Sequence, residues 1–166
     1  MKIFLSLLLL VFVCNNNLLA QGKYAGTKKS LIGKAYSDSR NIPGLTGWQF
    51  SEGSLLTAID DLEVITADVF KKGTTYIVLF SIKEDTADVN YTIADIIEIK
   101  NILKSQHIQT GLCREGENES VEIVALAKQE TSDFSKAIKA WCLNRDKRRV
   151  EGMNSKLVKC MNEGGD

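Results

Sequence analysis

The fold is decided by residues 62–83, which read LEVITADVFKKGTTYIVLFSIK. Two runs rich in β-branched and aromatic residues flank Lys71-Lys72-Gly73, and this arrangement is typical of two strands joined by a short turn. Gly73 can adopt the positive φ that such a connection often needs. We therefore predict a β-hairpin whose strands are residues 62–70 and 74–83.

The second strand of this hairpin is apolar on both faces. Ile77 and Leu79 lie on one face. The alternate residues of the other face are also apolar: Tyr76, Val78, Phe80 and Ile82. A strand with two apolar faces is covered on both sides, so we predict that it lies at the centre of a sheet.

More strands are expected downstream. In residues 93–103, Ile93, Ile96 and Ile97 follow helical spacing, but the segment also alternates and its isoleucine content favours a strand. Residues 107–114 and 121–128 flank a polar loop at 115–120 and read as antiparallel strands. This arrangement puts Cys113 at the loop end of a strand.

Residues 133–143 are the most helix-like part of the chain. Asp133 can cap a helix, and apolar residues follow at helical spacing: Phe134, Ala137, Ile138 and Trp141. A charged turn at 144–149 comes next and the chain then returns towards Cys160, so a hairpin over 138–158 fits equally well. We predict a short helical turn followed by that hairpin.

These segments predict a mainly β fold, an antiparallel sheet or sandwich with one or two short helices. An α+β fold is the alternative. Residues 21–47 carry five Lys and Arg among Gly and Ser with few large apolar groups, so we expect an exposed N-terminal arm there. Residues 48–166 are expected to form a single β-rich domain, a length that can bury one core.

The first 20 residues are predicted to be a secretory signal peptide. Lys2 supplies the positive start, and residues 3–13 form an apolar run interrupted only by Ser6. The run is shorter than the roughly 20 apolar residues that span a bilayer. Cleavage is expected after Ala20, with Gly22 as the alternative. Lipid attachment at Cys14 is disfavoured because Val13, a large residue, precedes it.

We therefore expect an exported protein of the bacterial periplasm or the extracellular space, with no membrane insertion. Loss of the signal removes Lys2 and no acid, which leaves 20 Lys and Arg against 21 Asp and Glu. A chain with this balance has no overall field that attracts polyanions. Nucleic acid is not an expected partner.

Three cysteines remain after removal of the signal: Cys113, Cys142 and Cys160. There is no C-x-x-C pair, so neither a thioredoxin-type redox site nor a zinc ribbon is indicated. In an oxidising compartment three thiols allow one bridge and one free cysteine. A Cys113–Cys160 bridge closes a loop of 48 residues, for which chain entropy gives about 4 kcal/mol. A Cys142–Cys160 bridge is the main alternative.

The C-terminal third of the chain carries a further pattern. It consists of Cys113, Glu122-Ile123-Val124-Ala125, Ala140-Trp141, Lys159-Cys160 and Asn162-Glu163-Gly164. This pattern, which covers 52 residues, resembles a group of uncharacterised small secreted bacterial proteins. The resemblance implies that Cys113 pairs with Cys160 and that Cys142 is an extra cysteine. It implies no activity.

Residues for catalysis are scarce. His107 is the only histidine, so a nucleophile activated by histidine and a metal site built on several histidines are both disfavoured. The acid pairs Asp60-Asp61 and Glu84-Asp85 border apolar runs and look like solvated strand ends rather than an acid/base pair. Residues 26–34 lack the first glycine of a phosphate-binding loop. We expect no catalytic, cofactor or metal site.

We therefore predict a small protein-binding domain, an inhibitor or immunity-type factor that neutralises a partner enzyme. A non-catalytic cell-envelope or structural module is the alternative, and an enzyme with an unconventional site ranks third. The expected contacts with a protein partner are charged residues in two loops: Glu115, Glu117, Glu119, Arg145 and Arg148. The basic loop is interrupted by Asp146 and has no aromatic row, so it is not a nucleic-acid surface.

Overall fold

The computed structural model describes residues 30–56, 63–83, 90–120, 122–130 and 132–162. Within these ranges the chain is mainly β, as predicted, and no helix is long and apolar enough to cross a membrane. Short 3-10 turns occur at Ser39–Asn41 and Ser155–Leu157. The strands are β1 Ala35–Tyr36, β2 Gln49–Leu55, β3 Val64–Lys72, β4 Thr75–Lys83, β5 Tyr91–Ile99, β6 Gln106–Thr110, β7 Cys113–Glu115, β8 Asn118–Ser120, β9 Ile123–Lys128, β10 Phe134–Asn144, β11 Arg149–Met153 and β12 Val158–Met161.

The first sheet has the antiparallel order β1-β5-β4-β3-β2. The predicted hairpin is confirmed as β3 and β4, which pair from Val64 with Lys83 to Lys72 with Thr75. The turn is Gly73-Thr74, and Gly73 has a φ of 62°. The prediction of a central strand is also confirmed, because β4 lies between β3 and β5. Residues 57–62 and 84–89, with the two acid pairs, and the predicted signal lie outside the described residues.

The second sheet follows the order β6-β9-β10-β12-β7-β8, and β11 also pairs with β10. The main hydrophobic core combines residues of both sheets, so the two pack as a sandwich. The first sheet supplies Ile65, Val69, Phe80 and Ile97, among others. The second supplies Ile108, Val124, Leu126 and Leu143. Phe80, at 0 % exposure, is among the largest fully buried side chains and is a central residue of this core.

The outer face of the first sheet is covered by the segment that precedes β2. Four of its side chains are buried against Phe70, Ile77 and Leu79: Leu31, Tyr36, Ile42 and Leu45. The prediction of an exposed arm is therefore wrong for these four side chains, each at most 6 % exposed, while most other residues of 31–45 are exposed. The segment has few apolar residues, but they are spaced so that they meet the apolar sheet face. Residues 21–29 lie outside the described residues.

Different parts of strand β10 pair with three other strands. Residues 137–142 pair with β9, residues 140–144 with β11, and residues 134–136 with β12. A third, smaller apolar cluster lies on the other side of β9 and β10 from the main core: Cys113, Ile123, Ala125, Ala140, Val158 and Cys160. The cluster contains the Cys113–Cys160 disulfide, which joins directly opposed residues of β7 and β12. Among the described residues, Cys142 is the cysteine without a bridge.

The predicted helical turn at 133–143 is wrong, because Phe134–Asn144 is strand β10. A β-bulge between Ala137 and Lys139 explains the misleading pattern. Ala137 lies opposite Ala127 and Ala140 opposite Ala125, so residues three apart in the sequence reach the same face. The predicted charged turn after this strand is confirmed, since β10 and β11 form a hairpin around residues 145–148.

Strand β5 contains a second bulge. Ile93 pairs with Ser81, while Asp95 pairs with the preceding residue Phe80, so Ala94 is extra. Ile93 and Ile96 consequently share the outer face, which reproduces the helical spacing in what is, as predicted, a strand. The bulge also buries Asp95, which is 7 % exposed. Its carboxylate accepts hydrogen bonds from the backbone amides of Ile96 and of Val150 on β11, both at 2.8 Å. Asp95 therefore links the two sheets.

The strands predicted at 107–114 and 121–128 are only partly correct. Strands β6 and β9 pair as expected, but the first strand ends at Thr110 and Cys113 begins the separate strand β7. The predicted loop at 115–120 contains β8, which pairs back on β7. A longer strand cannot form because the chain leaves β9 after Thr110 and joins β12, where the Met161 amide donates to the Leu112 carbonyl at 2.8 Å.

We predict that the Cys113→Ala/Cys160→Ala variant loses about 4 kcal/mol of unfolding free energy, since chain entropy favours the bridged protein by that amount. Chemical denaturation with and without reductant measures the loss, and Cys142→Ser, which keeps the bridge, is the control. Peptide mapping without reduction must show Cys113 joined to Cys160, and a bridge to Cys142 would contradict the structure.

We expect Asp95→Ala to lower the unfolding free energy by about 1.5 to 3 kcal/mol, because two backbone donors lose a charged acceptor. Asp95→Asn keeps one oxygen acceptor and should lose less. Denaturant unfolding of the two variants side by side measures this ranking. Equal stability of Asp95→Ala and the native protein would show that this contact does not stabilise the sandwich.

Candidate functional site

The five predicted partner-contact residues lie on two hairpins at the edge of the second sheet. Glu115, Glu117 and Glu119 belong to the acidic hairpin, which we define as β7, its turn and β8, residues 113–120. Arg145 and Arg148 belong to the basic turn, which we define as residues 144–149 between β10 and β11. The structure gives these two groups different surroundings.

The acidic hairpin has a two-residue turn, Gly116-Glu117, between the paired residues Glu115 and Asn118. Gly116 has a φ of 61°, as the first turn position of a type II′ hairpin requires. The Gly116 amide also donates to the Leu157 carbonyl at 3.0 Å. The disulfide holds the other end of the hairpin, so a short chain segment is fixed at its base and at its tip.

The carboxylates near this tip face solvent. Glu115 and Glu117 are exposed, and neither has an ion pair with any residue that the structure describes. Glu119 lies opposite Arg114 in the backbone register. The Arg114 guanidinium stacks over the Phe134 ring, 4.3 Å from its centroid. The hairpin therefore offers acidic groups on a fixed backbone.

The basic turn is neutralised by acids of the same chain. Arg148 pairs with Glu63 at 3.2 Å, and Arg145 Nε lies 3.7 Å from Glu122. Lys147 and Arg149 both contact Glu151 Oε1, at 3.0 and 2.5 Å. Hydrogen bonds from Arg149, Lys147 and Asn144 lower the pKa of Glu151 to about 2. Arg145 and Arg148 thus serve contacts within the protein.

A second polar site lies on the outer face of the first sheet and was missed by the sequence reasoning. The Tyr36 hydroxyl donates to Asp68 Oδ2 at 2.5 Å. Asp68 is 7 % exposed and pairs in register with Gly53 on β2. A Cβ at Gly53 would lie 2.6 Å from Asp68 Oδ1, so only glycine leaves room for the carboxylate. The sequence feature that could have indicated this site is Asp68 itself, a single acid between Ala67 and Val69 in an otherwise apolar strand.

A cavity of about 280 Å³ opens beside this pair. It is lined by residues 36–39 and by Thr66, Asp68 and Tyr91. Burial raises the pKa of the Asp68 carboxyl, and the hydrogen bond from Tyr36 opposes that shift. Burial and then the Asp68 charge raise the pKa of the Tyr36 phenol well above its ordinary value. The phenol therefore remains a neutral donor at physiological pH.

The hydroxyls of Thr66 and Ser81 also lie close to this phenol, and both act to lower the pKa of Tyr36. Their oxygens are buried and make no hydrogen bond of normal geometry within the described ranges. Thr66 and Ser81 pair in register on β3 and β4. The outer face of the sheet thus contains a polar cluster with unused hydrogen-bonding capacity.

The remaining candidates for chemistry are isolated. His107 lies within β6 and is half-buried. Burial, followed by the charges of Glu122, Glu151 and Glu115, raises the pKa of the Cys142 thiol, which disfavours the reactive thiolate. Among the described residues no three His, Cys, Asp or Glu side chains are grouped to hold a metal ion.

Comparison with protein families, with curated proteins and with solved structures finds no match to this chain.

We predict that Asp68→Asn raises the stability of the protein at neutral pH relative to the native chain. A carboxyl whose folded-state pKa is raised loses stabilising free energy as pH rises from its unfolded pKa through its folded pKa. The amide carries no charge and its oxygen still accepts from Tyr36.

Urea unfolding at about pH 4 and about pH 8 measures this effect, which should be small at the lower pH and larger at the higher. The exposed Asp146→Asn is the matched control and should resemble the native protein within about 0.5 kcal/mol at both. A variant that is less stable than the native protein at high pH would show that the ionised Asp68 is stabilising.

Proposed function

We propose that this protein is an exported, non-catalytic binding module that docks its acidic hairpin onto a basic surface of a partner protein. In this role it acts as an inhibitor or immunity-type factor that neutralises an enzyme. The observation that supports the proposal most directly is the contrast between the two hairpins: the basic turn is paired internally, whereas Glu115 and Glu117 face solvent without a partner in the described residues.

The covalent attachment of the hairpin also supports a binding role. The Cys113–Cys160 bridge and the Gly116–Leu157 hydrogen bond hold β7 against β12. A segment fixed before binding loses little conformational entropy when a partner docks, and this raises affinity. Exposed charges of one sign also accelerate association with a surface of the opposite sign.

The test compares capture by three immobilised forms of the protein: native, Glu115→Gln/Glu117→Gln, and Glu130→Gln. Glu130 is exposed and lies outside the acidic hairpin, so its substitution is the matched control. Each form is exposed to the exported proteins of the source organism, and bound proteins are identified by mass spectrometry.

We expect the native and control forms to retain the same basic protein, and the double variant to bind it about tenfold more weakly at low salt. Added salt should weaken the native complex, because the Debye length falls to about 8 Å at physiological ionic strength. Purified partner enzyme should lose activity with the native protein and keep it with the double variant. Equal capture by all three forms would refute the hairpin as the contact, and retention only on cell-envelope material would favour a structural module.

A further inference from the structure

The cavity beside Tyr36 and Asp68 lies on the first sheet and takes no part in the contact proposed for the acidic hairpin. We propose that it binds a primary ammonium group on a short aliphatic chain, as found in a lysine side chain or a free alkylamine. The cavity suits such a group in its charge, its hydrogen-bond acceptors, its aromatic rings and its size.

The charge of the cavity wall is negative. Its lining includes the carboxylates of Asp38 and Asp68 and no Lys, Arg or His. Asp68 is 7 % exposed, and its hydrogen-bond partner is the neutral Tyr36 hydroxyl. In the described part of the chain, Asp68 has no ion pair. A buried carboxylate without a cation is unfavourable, so a cationic ligand supplies what the protein does not.

The wall also offers acceptors for the three N–H donors of an ammonium group. Asp38 accepts from the Arg40 amide and from Asn41 Nδ2, each at 2.9 Å, which leaves lone pairs on both carboxylate oxygens. Thr66 Oγ1 is buried and has no hydrogen-bond partner of normal geometry among the described residues. Together with Asp68, these groups form an acceptor set from two separate segments of the chain.

The aromatic rings suit an organic cation. Tyr36 and Tyr91 stack with their centroids 5.7 Å apart, and both line the cavity. The protein already places an ammonium group against one of them, since Lys83 Nζ lies 5.5 Å from the Tyr91 centroid. Ring faces attract cations electrostatically, and the attraction grows when water is excluded.

A bare metal ion fits the cavity less well. Ca²⁺ takes about six to eight oxygen ligands, usually with several carboxylates, whereas the described residues contain no group of three metal-binding side chains. The volume of about 280 Å³ is just below the range of about 300 to 1,000 Å³ found for drug-sized ligands. A group of side-chain size is therefore the best match.

The test titrates the full protein with defined probes and follows backbone amide resonances by NMR. Nα-acetyl-lysine methylamide represents a lysine of a polypeptide, and n-butylammonium chloride represents a free amine. Nα-acetyl-norleucine methylamide has a similar chain without the ammonium group and is the negative control. Calcium chloride tests the metal alternative.

We expect both ammonium probes to shift the resonances of residues 36–39, Thr66 and Asp68 in a saturable manner, and the norleucine probe to leave them unchanged. Tighter binding of the lysine probe would identify a polypeptide as the source, and equal binding would identify a free amine. Asp68→Asn should weaken binding about tenfold, the loss expected for one charged hydrogen-bond acceptor. Asp146→Asn, on the basic turn, should bind as the native protein does.

Asp38→Asn is the second variant, because its amide oxygen still caps the 3-10 turn while one negative charge is removed. It should weaken binding about threefold, and it tests the second carboxylate of the cavity independently of Asp68. The proposal is overturned if neither ammonium probe saturates, if norleucine binds equally, if Ca²⁺ displaces the ammonium probes, or if the folded Asp68 and Asp38 variants bind as the native protein does.

Discussion

Residues Ile77 to Ile82 of β4 are buried one after another, so this strand presents side chains to covered surfaces on both sides of its sheet. The second sheet covers one side through the main core, and the segment before β2 covers the other. The segment before β2 is short and has too few apolar side chains to cover the whole outer face of the sheet. At Asp68 this segment contributes the Tyr36 hydroxyl, which donates a hydrogen bond to the carboxylate, and the cavity opens beside that contact.

The parts of the fold that could be predicted from the sequence are those in which the spacing of apolar residues matches the strand pairing in the structure. The β3–β4 hairpin has a residue composition typical of strands and a glycine in its turn, and the structure pairs these strands around that glycine. The two segments with helical spacing are strands in which a bulge shifts the alternation by one residue. A bulge depends on the partner strand, so spacing along a single strand cannot distinguish it from a helix.

The candidate sites also contain features that the sequence could predict and contacts that it could not. Exposure of Glu115 and Glu117 was predictable, because they lie in a short polar stretch next to a glycine. The pairing of Arg145 with Glu122 and of Arg148 with Glu63 was not, since these partners are distant in the sequence. The first pair meets only when β9 and β10 pair, and the second only when the two sheets pack. The Tyr36–Asp68 contact likewise joins residues 32 apart, from the covering segment and from β3.

The cover of the first sheet has a consequence for the order of folding. Strand β1 pairs with β5, Tyr36 opposite Tyr91, so the segment before β2 must wait for residues that are synthesised later. The bridge waits longer still, because Cys160 lies in the last strand. Long-range pairings of this kind slow folding and leave apolar surface open meanwhile. The outer face of the first sheet therefore stays open until β5 is made, and the inner face until the strands of the second sheet follow. A chain interrupted before β12 can never form the bridge that holds the acidic hairpin.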